Sequence, residues 1–201
     1  WTFMRNTAKL NLIRMGVKTK QVGRTVDQQL GYIDEAVRLA GENHMYLMIN
    51  SSIESGSYDM ADLTAFWTVV APRYKDQTHV IYELTNEAVR GAPSWGCAHQ
   101  YTDKTLEDLT AVWKLIRSKA PRTHIAWVDT PNLCDTAIIG NKAQPVEGAF
   151  QAMLDRIKGV DWSNSSVAFH SYGGTYTFGE ERMAALKRKY PLIMTETNYW
   201  N

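Results

Sequence analysis

Apolar and polar positions along this 201-residue chain fall into two alternating patterns. Short runs rich in β-branched and aromatic residues, at 10–17, 45–50, 79–87, 123–130, 166–172 and 191–196, read as strands. Between them lie stretches with helical spacing. In 26–43 the apolar positions are Leu30, Ile33, Ala36, Val37 and Ala40, with charges opposite. The next helix starts at Asp59, an N-cap or first-turn residue, shows Leu63, Phe66, Trp67 and Val70, and meets a kink at Pro72. Residues 103–120 form the clearest helix, 146–158 place Phe150, Met153, Leu154 and Ile157 inward, 180–189 form a short basic helix, and 2–9 read as the end of another. The segments 91–100 and 132–145 read as loops.

This alternation predicts an α/β fold of parallel strands in one domain spanning 1–201. A TIM-barrel-like (β/α)8 architecture fits better than a doubly wound nucleotide-binding sheet, because no GxGxxG or Walker sequence occurs. About six β/α units are visible where a closed barrel has eight. The chain is therefore expected to form an incomplete barrel, closed by a second copy in a homo-oligomer or by segments outside this sequence.

Composition narrows the function classes. With 22 basic and 21 acidic residues the net charge is +1, which supplies no field for nucleic acid or a membrane surface. The longest apolar runs fall far short of a membrane span, and no basic flank joins an apolar segment as in a signal peptide. Trp1 in place of Met is what a processed or excised product shows, and a secreted or periplasmic location is the expectation. Cys97 and Cys134 are compatible with one disulfide or with two free thiols. No CxxC, HExxH or GxSxG spacing is present, so neither a metal, a cofactor nor a serine-nucleophile elbow is expected.

Candidate chemistry collects at the strand ends: Arg14, Asn50, Asn86, Glu87, Asp129, His170, Tyr172 and Glu196. In a parallel barrel these all reach one edge, where active sites are built. Two glutamates facing each other across a small mouth are what glycoside cleavage requires. Taken singly, each residue has a plainer reading: a solvated Glu87, a salt-bridged Arg14, a structural His170, a packed Tyr172. Trp95, Trp127 and Trp200 lie on or near strand ends and are candidate platforms for a carbohydrate, whose apolar ring face stacks on indole.

Tyr82-Glu-Leu-Thr-Asn86-Glu87, preceded by Phe66-Trp67 and Tyr74-Lys75-Asp76, resembles the acid/base region of glycoside hydrolase family 5, the endoglucanase and β-mannanase group of the retaining TIM-barrel clan. His170-Ser-Tyr172 resembles that family's His-x-Tyr strand, 191–196 its nucleophile strand, and Arg14 its strand-two arginine. The resemblance implies Glu87 as acid/base, Glu196 as nucleophile, Asn86 as donor to the sugar 2-hydroxyl, and Arg14, His170 and Tyr172 as groups orienting Glu196. It implies retention through a glycosyl-enzyme, with the carboxyls about 5–5.5 Å apart.

The chain departs from that pattern in several places. Ala88 stands where proline is usual, and Asn50-Ser51-Ser52 replaces the expected third-strand histidine. The first strand has no counterpart, nor does the eighth with its sugar-stacking tryptophan, for which Trp200 is a substitute. The expected function is a retaining glycoside hydrolase acting on a β-linked glucan. A transglycosylase using the same residues and a carbohydrate-binding barrel without turnover are the alternatives.

Overall fold

The computed structural model describes residues 1–18, 23–52, 58–89, 97–130, 135–171 and 183–197, without the side chains of 128–130 and 171. Strands β1 (Leu12–Val17), β2 (Tyr46–Ser51), β3 (Val80–Glu83) and β4 (His124–Thr130) are followed by β5 (Thr136–Ile139), β6 (Lys142–Pro145), β7 (Ser165–Ser171) and β8 (Leu192–Thr197). Six of them pair as one parallel sheet in the order β1-β2-β3-β4-β7-β8, half of a barrel, and β5-β6 form a separate antiparallel pair. The expected six β/α units and their parallel sense are found.

The helices are α1 (Thr2–Asn6), α2 (Val26–Glu42), α3 (Met60–Arg73), α4 (Asp103–Lys119) and α5 (Ala149–Asp155), and residues 183–186, within the expected basic helix at 180–189, are helical as well. Their starts follow local chemistry. Thr25 and Gln28 close a capping box on α2, and Asp59 accepts the backbone N–H groups of Ala61 and Asp62 at the start of α3. Pro72 falls within the last turn of α3, which runs one residue past it. Helix α5 is shorter than the pattern suggested, because Gly148 at φ 74° caps it in a left-handed conformation that breaks any earlier helix.

The core lies where α2, α3 and α4 press on the sheet. Trp67, Phe66, Tyr82, Leu109, Ile116 and Trp127 meet in one cluster, and burying side chains of this size contributes about 1.5–3 kcal/mol each. A smaller cluster lines the concave face: Met48, Ala126 and Ala168, with Leu12, Ile81 and Ile193 beside them. Neighbours across a parallel sheet point to the same side, so this row marks the barrel interior.

Residues 132–145, read as a loop, contain the β5-β6 hairpin. Its turn is Gly140-Asn141 at φ 55° and 65°. Positive φ at both central positions is the geometry a tight two-residue hairpin requires. The strand expected to run to Glu87 stops at Glu83. Among the described residues no helix is long and apolar enough to cross a membrane.

Candidate active site

The carboxyl ends of the strands assemble the site. Register places Gly16, Asn50, Glu83 and Ala126 in one row across β1 to β4, on the same side as Met48 and Ala168. Beyond β3 the chain is tied to its neighbours: Leu84 N–H donates to Ala126 O, Asn86 N–H to Ser51 O, and the Trp67 indole N–H to Leu84 O. These bonds hold a turn that delivers Glu87 at φ 40°. That left-handed conformation costs a residue with a Cβ about 1–2 kcal/mol, and a residue before proline is pushed toward extended backbone. Ala88, buried behind it, leaves the conformation open.

Glu87 and Glu196 meet at one imidazole. His170 Nδ1 lies 3.0 Å from Glu87 Oε1, and its Nε2 lies 3.6 Å from Glu196 Oε2. The two carboxyls differ in setting: the Glu87 side chain is 6% exposed and that of Glu196 40%. Strand parity alone would not produce this. Phe169 pairs with Met194, and the next pair is His170 with Glu196, so Thr195 is an extra residue at a bulge. In a regular strand Thr195 would face His170 and Glu196 would point to the other side; the bulge re-aims it.

Arg14 spans the mouth. Its Nε donates to Glu83 Oε2 at 2.5 Å, Nη1 to Glu196 Oε2 at 3.2 Å, and Nη2 to Asn86 Oδ1 at 2.8 Å. Since β1 and β8 are the two ends of the strand order, the Arg14–Glu196 contact shows how far the sheet is rolled. Asn50, fully buried, donates from Nδ2 to Glu83 Oε2 at 2.7 Å.

The structure therefore gathers Arg14, Asn50, Asn86, Glu87, His170 and Glu196 as expected and adds Glu83, which sequence reasoning passed over. The available signal was period two: Ile81 and Glu83 share the inward side of β3, and a carboxylate between Tyr82 and Leu84 is out of place in an apolar run unless it meets a cation.

Trp127 is a correction. It is fully buried, on the helix side, with its ring centroid 6.2 Å from that of Trp162, and cannot touch a carbohydrate in the mouth. The reason is plain alternation: Ala126 faces the barrel interior, so Trp127, paired with Val167, faces the helices, and the register shift to Asp129 comes only after it. The Asp129 side chain, Trp95, Tyr172 and Trp200 lie outside what is described. Cys97 is buried and disulfide-bonded; Cys134, the chain's other cysteine, is outside the described residues.

Similarity to known proteins follows the same lines. The family model for cellulase, glycosyl hydrolase family 5, matches residues 3–200. Endoglucanase A of Butyrivibrio fibrisolvens is 25% identical over 206 residues, which cover 96% of this chain and 42% of that protein. Among solved structures, cellulase Cel5C_n superposes with a TM-score of 0.70 at 20% identity, covering 98% of this chain and 58% of that one. The catalytic domain of Thermobifida fusca endoglucanase Cel5A gives 0.65 at 18% identity, with coverage of 98% and 60%. The chain thus spans less than two thirds of the length of each of these relatives. Matched almost from end to end by the family model, the chain belongs to glycosyl hydrolase family 5, the cellulase family.

Proposed function

We propose that the protein is a retaining glycoside hydrolase that cleaves a β-linked glucan, with Glu87 as acid/base and Glu196 as nucleophile. The observation that carries this reading is His170 between the two carboxyls, with Arg14 Nη1 at 3.2 Å from Glu196. Glu87 is buried against His170, and Glu196 is half-exposed beside a guanidinium, so the two carboxyls sit in the unlike settings that separate roles require. In the first step a Glu196 oxygen bonds to the anomeric carbon while Glu87 gives its proton to the departing glycosidic oxygen. In the second, Glu87 takes a proton from water, whose oxygen displaces the glycosyl ester and restores the original configuration.

A glucan is favoured by the relatives: the Thermobifida fusca endoglucanase is solved with cellotetraose. The test is chromophore release from aryl β-cellobiosides by Glu87→Gln and Glu196→Gln, with the anomer of the first product read by NMR. Loss of release in both variants and a β-anomer from the parent protein support the proposal; full activity in both, or an α-anomer, overturns it.

Strands β1 and β8 each pair on one side only within the described sheet, and an open edge favours pairing with another strand. We propose that a second copy of the chain covers these edges. Light scattering should then give a dimer, and a stable, active, monodisperse monomer would count against it. The disulfide at Cys97 supports a secreted or periplasmic location, where such bonds persist.

A further inference from the structure

Glu83 stands behind Arg14, on the far side from Glu196. Its carboxylate is 1% exposed and two donors converge on one oxygen, Arg14 Nε at 2.5 Å and Asn50 Nδ2 at 2.7 Å. Each nitrogen of the guanidinium thereby has its own partner: Glu83, Glu196 and Asn86. A guanidinium not held from behind is free to turn and grip a single carboxylate with two parallel bonds. Such a grip on Glu196 would occupy the lone pairs that must reach the anomeric carbon, and would bring the full cationic charge to bear on the attacking group.

We propose that Glu83 is a positioning residue for nucleophilic attack: it fixes Arg14 in the orientation that sets Nη1 against Glu196 and neutralises part of its charge. The inference rests on the reading of Glu196 as nucleophile. Around these two carboxylates the described titratable groups are Arg14 from β1, Glu87 from the turn after β3 and His170 from β7; Asn50 and Asn86 are neutral. Removing the Glu83 charge therefore leaves more of the Arg14 charge to act on Glu196. Protonation of the essential carboxylate then requires more acid, and attack becomes slower because the carboxylate is less basic.

Glu83→Gln keeps the side-chain shape and an acceptor oxygen while deleting the charge. For the purified full chain, kcat/KM for an aryl β-cellobioside should fall about 10- to 100-fold, with the acid limb of its pH profile displaced by about half a unit or more to lower pH. KM should change by less than about threefold, so that the loss falls on kcat. Covalent trapping by an activated 2-fluoro glycoside should slow by a similar factor.

An unmoved acid limb with unchanged turnover per trapped site would overturn the proposal and leave Glu83 a structural ion-pair partner. Where Glu83→Gln fails to fold, Glu83→Asp decides: its shorter side chain loosens the clamp and should move the acid limb the same way by a smaller step, and an unmoved limb overturns the proposal. Glu196→Gln separates the two levels. If it still turns over, the nucleophile reading fails; if it is inactive while Glu83→Gln keeps the parent's acid limb, the positioning role alone fails.

Discussion

The helix-facing side of the sheet carries Tyr82 and Trp127, buried and close-packed with Trp67 of α3 in one cluster, whereas the concave side carries Met48, Ala126 and Ala168 and, above them, Arg14, Asn50, Glu83 and His170. Aromatic bulk on the first side closes the protein; on the second, Ala126 and Ala168 leave room beneath a charged network with a shared set of bonds. The contrast assigns different work to the two faces. Substitutions on one should cost stability and on the other turnover, with little crossing over.

The largest test of that division is at the carboxyls. Glu87→Gln and Glu196→Gln should each lower kcat/KM by at least about 10²–10⁴-fold, with thermal unfolding within a few degrees of the parent. A large fall in Tm would mean that the network also holds the fold together. The converse variants are Trp67→Ala and Trp127→Ala. Each should lose about 3–5 kcal/mol, because a buried indole leaves a cavity the surroundings only partly fill. The folded fraction should retain its kcat and KM. For Trp127→Ala an altered KM would reopen the carbohydrate contact that its burial closes.

A smaller effect is expected at the amino-terminal end of the concave face. His124 Nε2 lies 3.0 Å from Ser166 Oγ, and burial pushes the imidazole below its ordinary value. The folded state therefore favours the neutral ring. Stability from this group is present above the ordinary histidine range and is lost as pH falls through that range toward the lowered value. In His124→Gln, the decline of Tm between neutral pH and pH 5 should be shallower than in the parent. Ile138 and Ile139, exposed on β5, belong to neither face. Changing both to Thr keeps β-branching and should move stability by no more than about 0.5 kcal/mol per site.

Much of this was legible in the chain itself. Helices α2, α3 and α4 announce themselves through an apolar stripe that packing then buries, and α3 also through its cap at Asp59. Glu87, His170 and Glu196 were readable because they end apolar runs. What escaped depends on counting by twos. Alternation assigns Trp127 and Asp129 to one face, yet a register shift separates them, and nothing in Ala-Trp-Val-Asp marks it. Glu83 is hidden inside a run whose pattern continues as strand to Glu87, whereas the ladder ends at Glu83 and the next residues turn. The hairpin strand β6, Lys142–Pro145, is exposed throughout and carries no alternation; its one sign was Gly140-Asn141.

The contact between Arg14 and Glu196 has a thermal consequence. It joins the two ends of the strand order through side chains, so it works as a strain gauge on the curvature of the whole sheet. A slight flattening opens that gap before it disturbs the indoles on the far side. On a slow temperature ramp, catalysis should fade while the fluorescence of Trp67, Trp113 and Trp127 still reports an intact core.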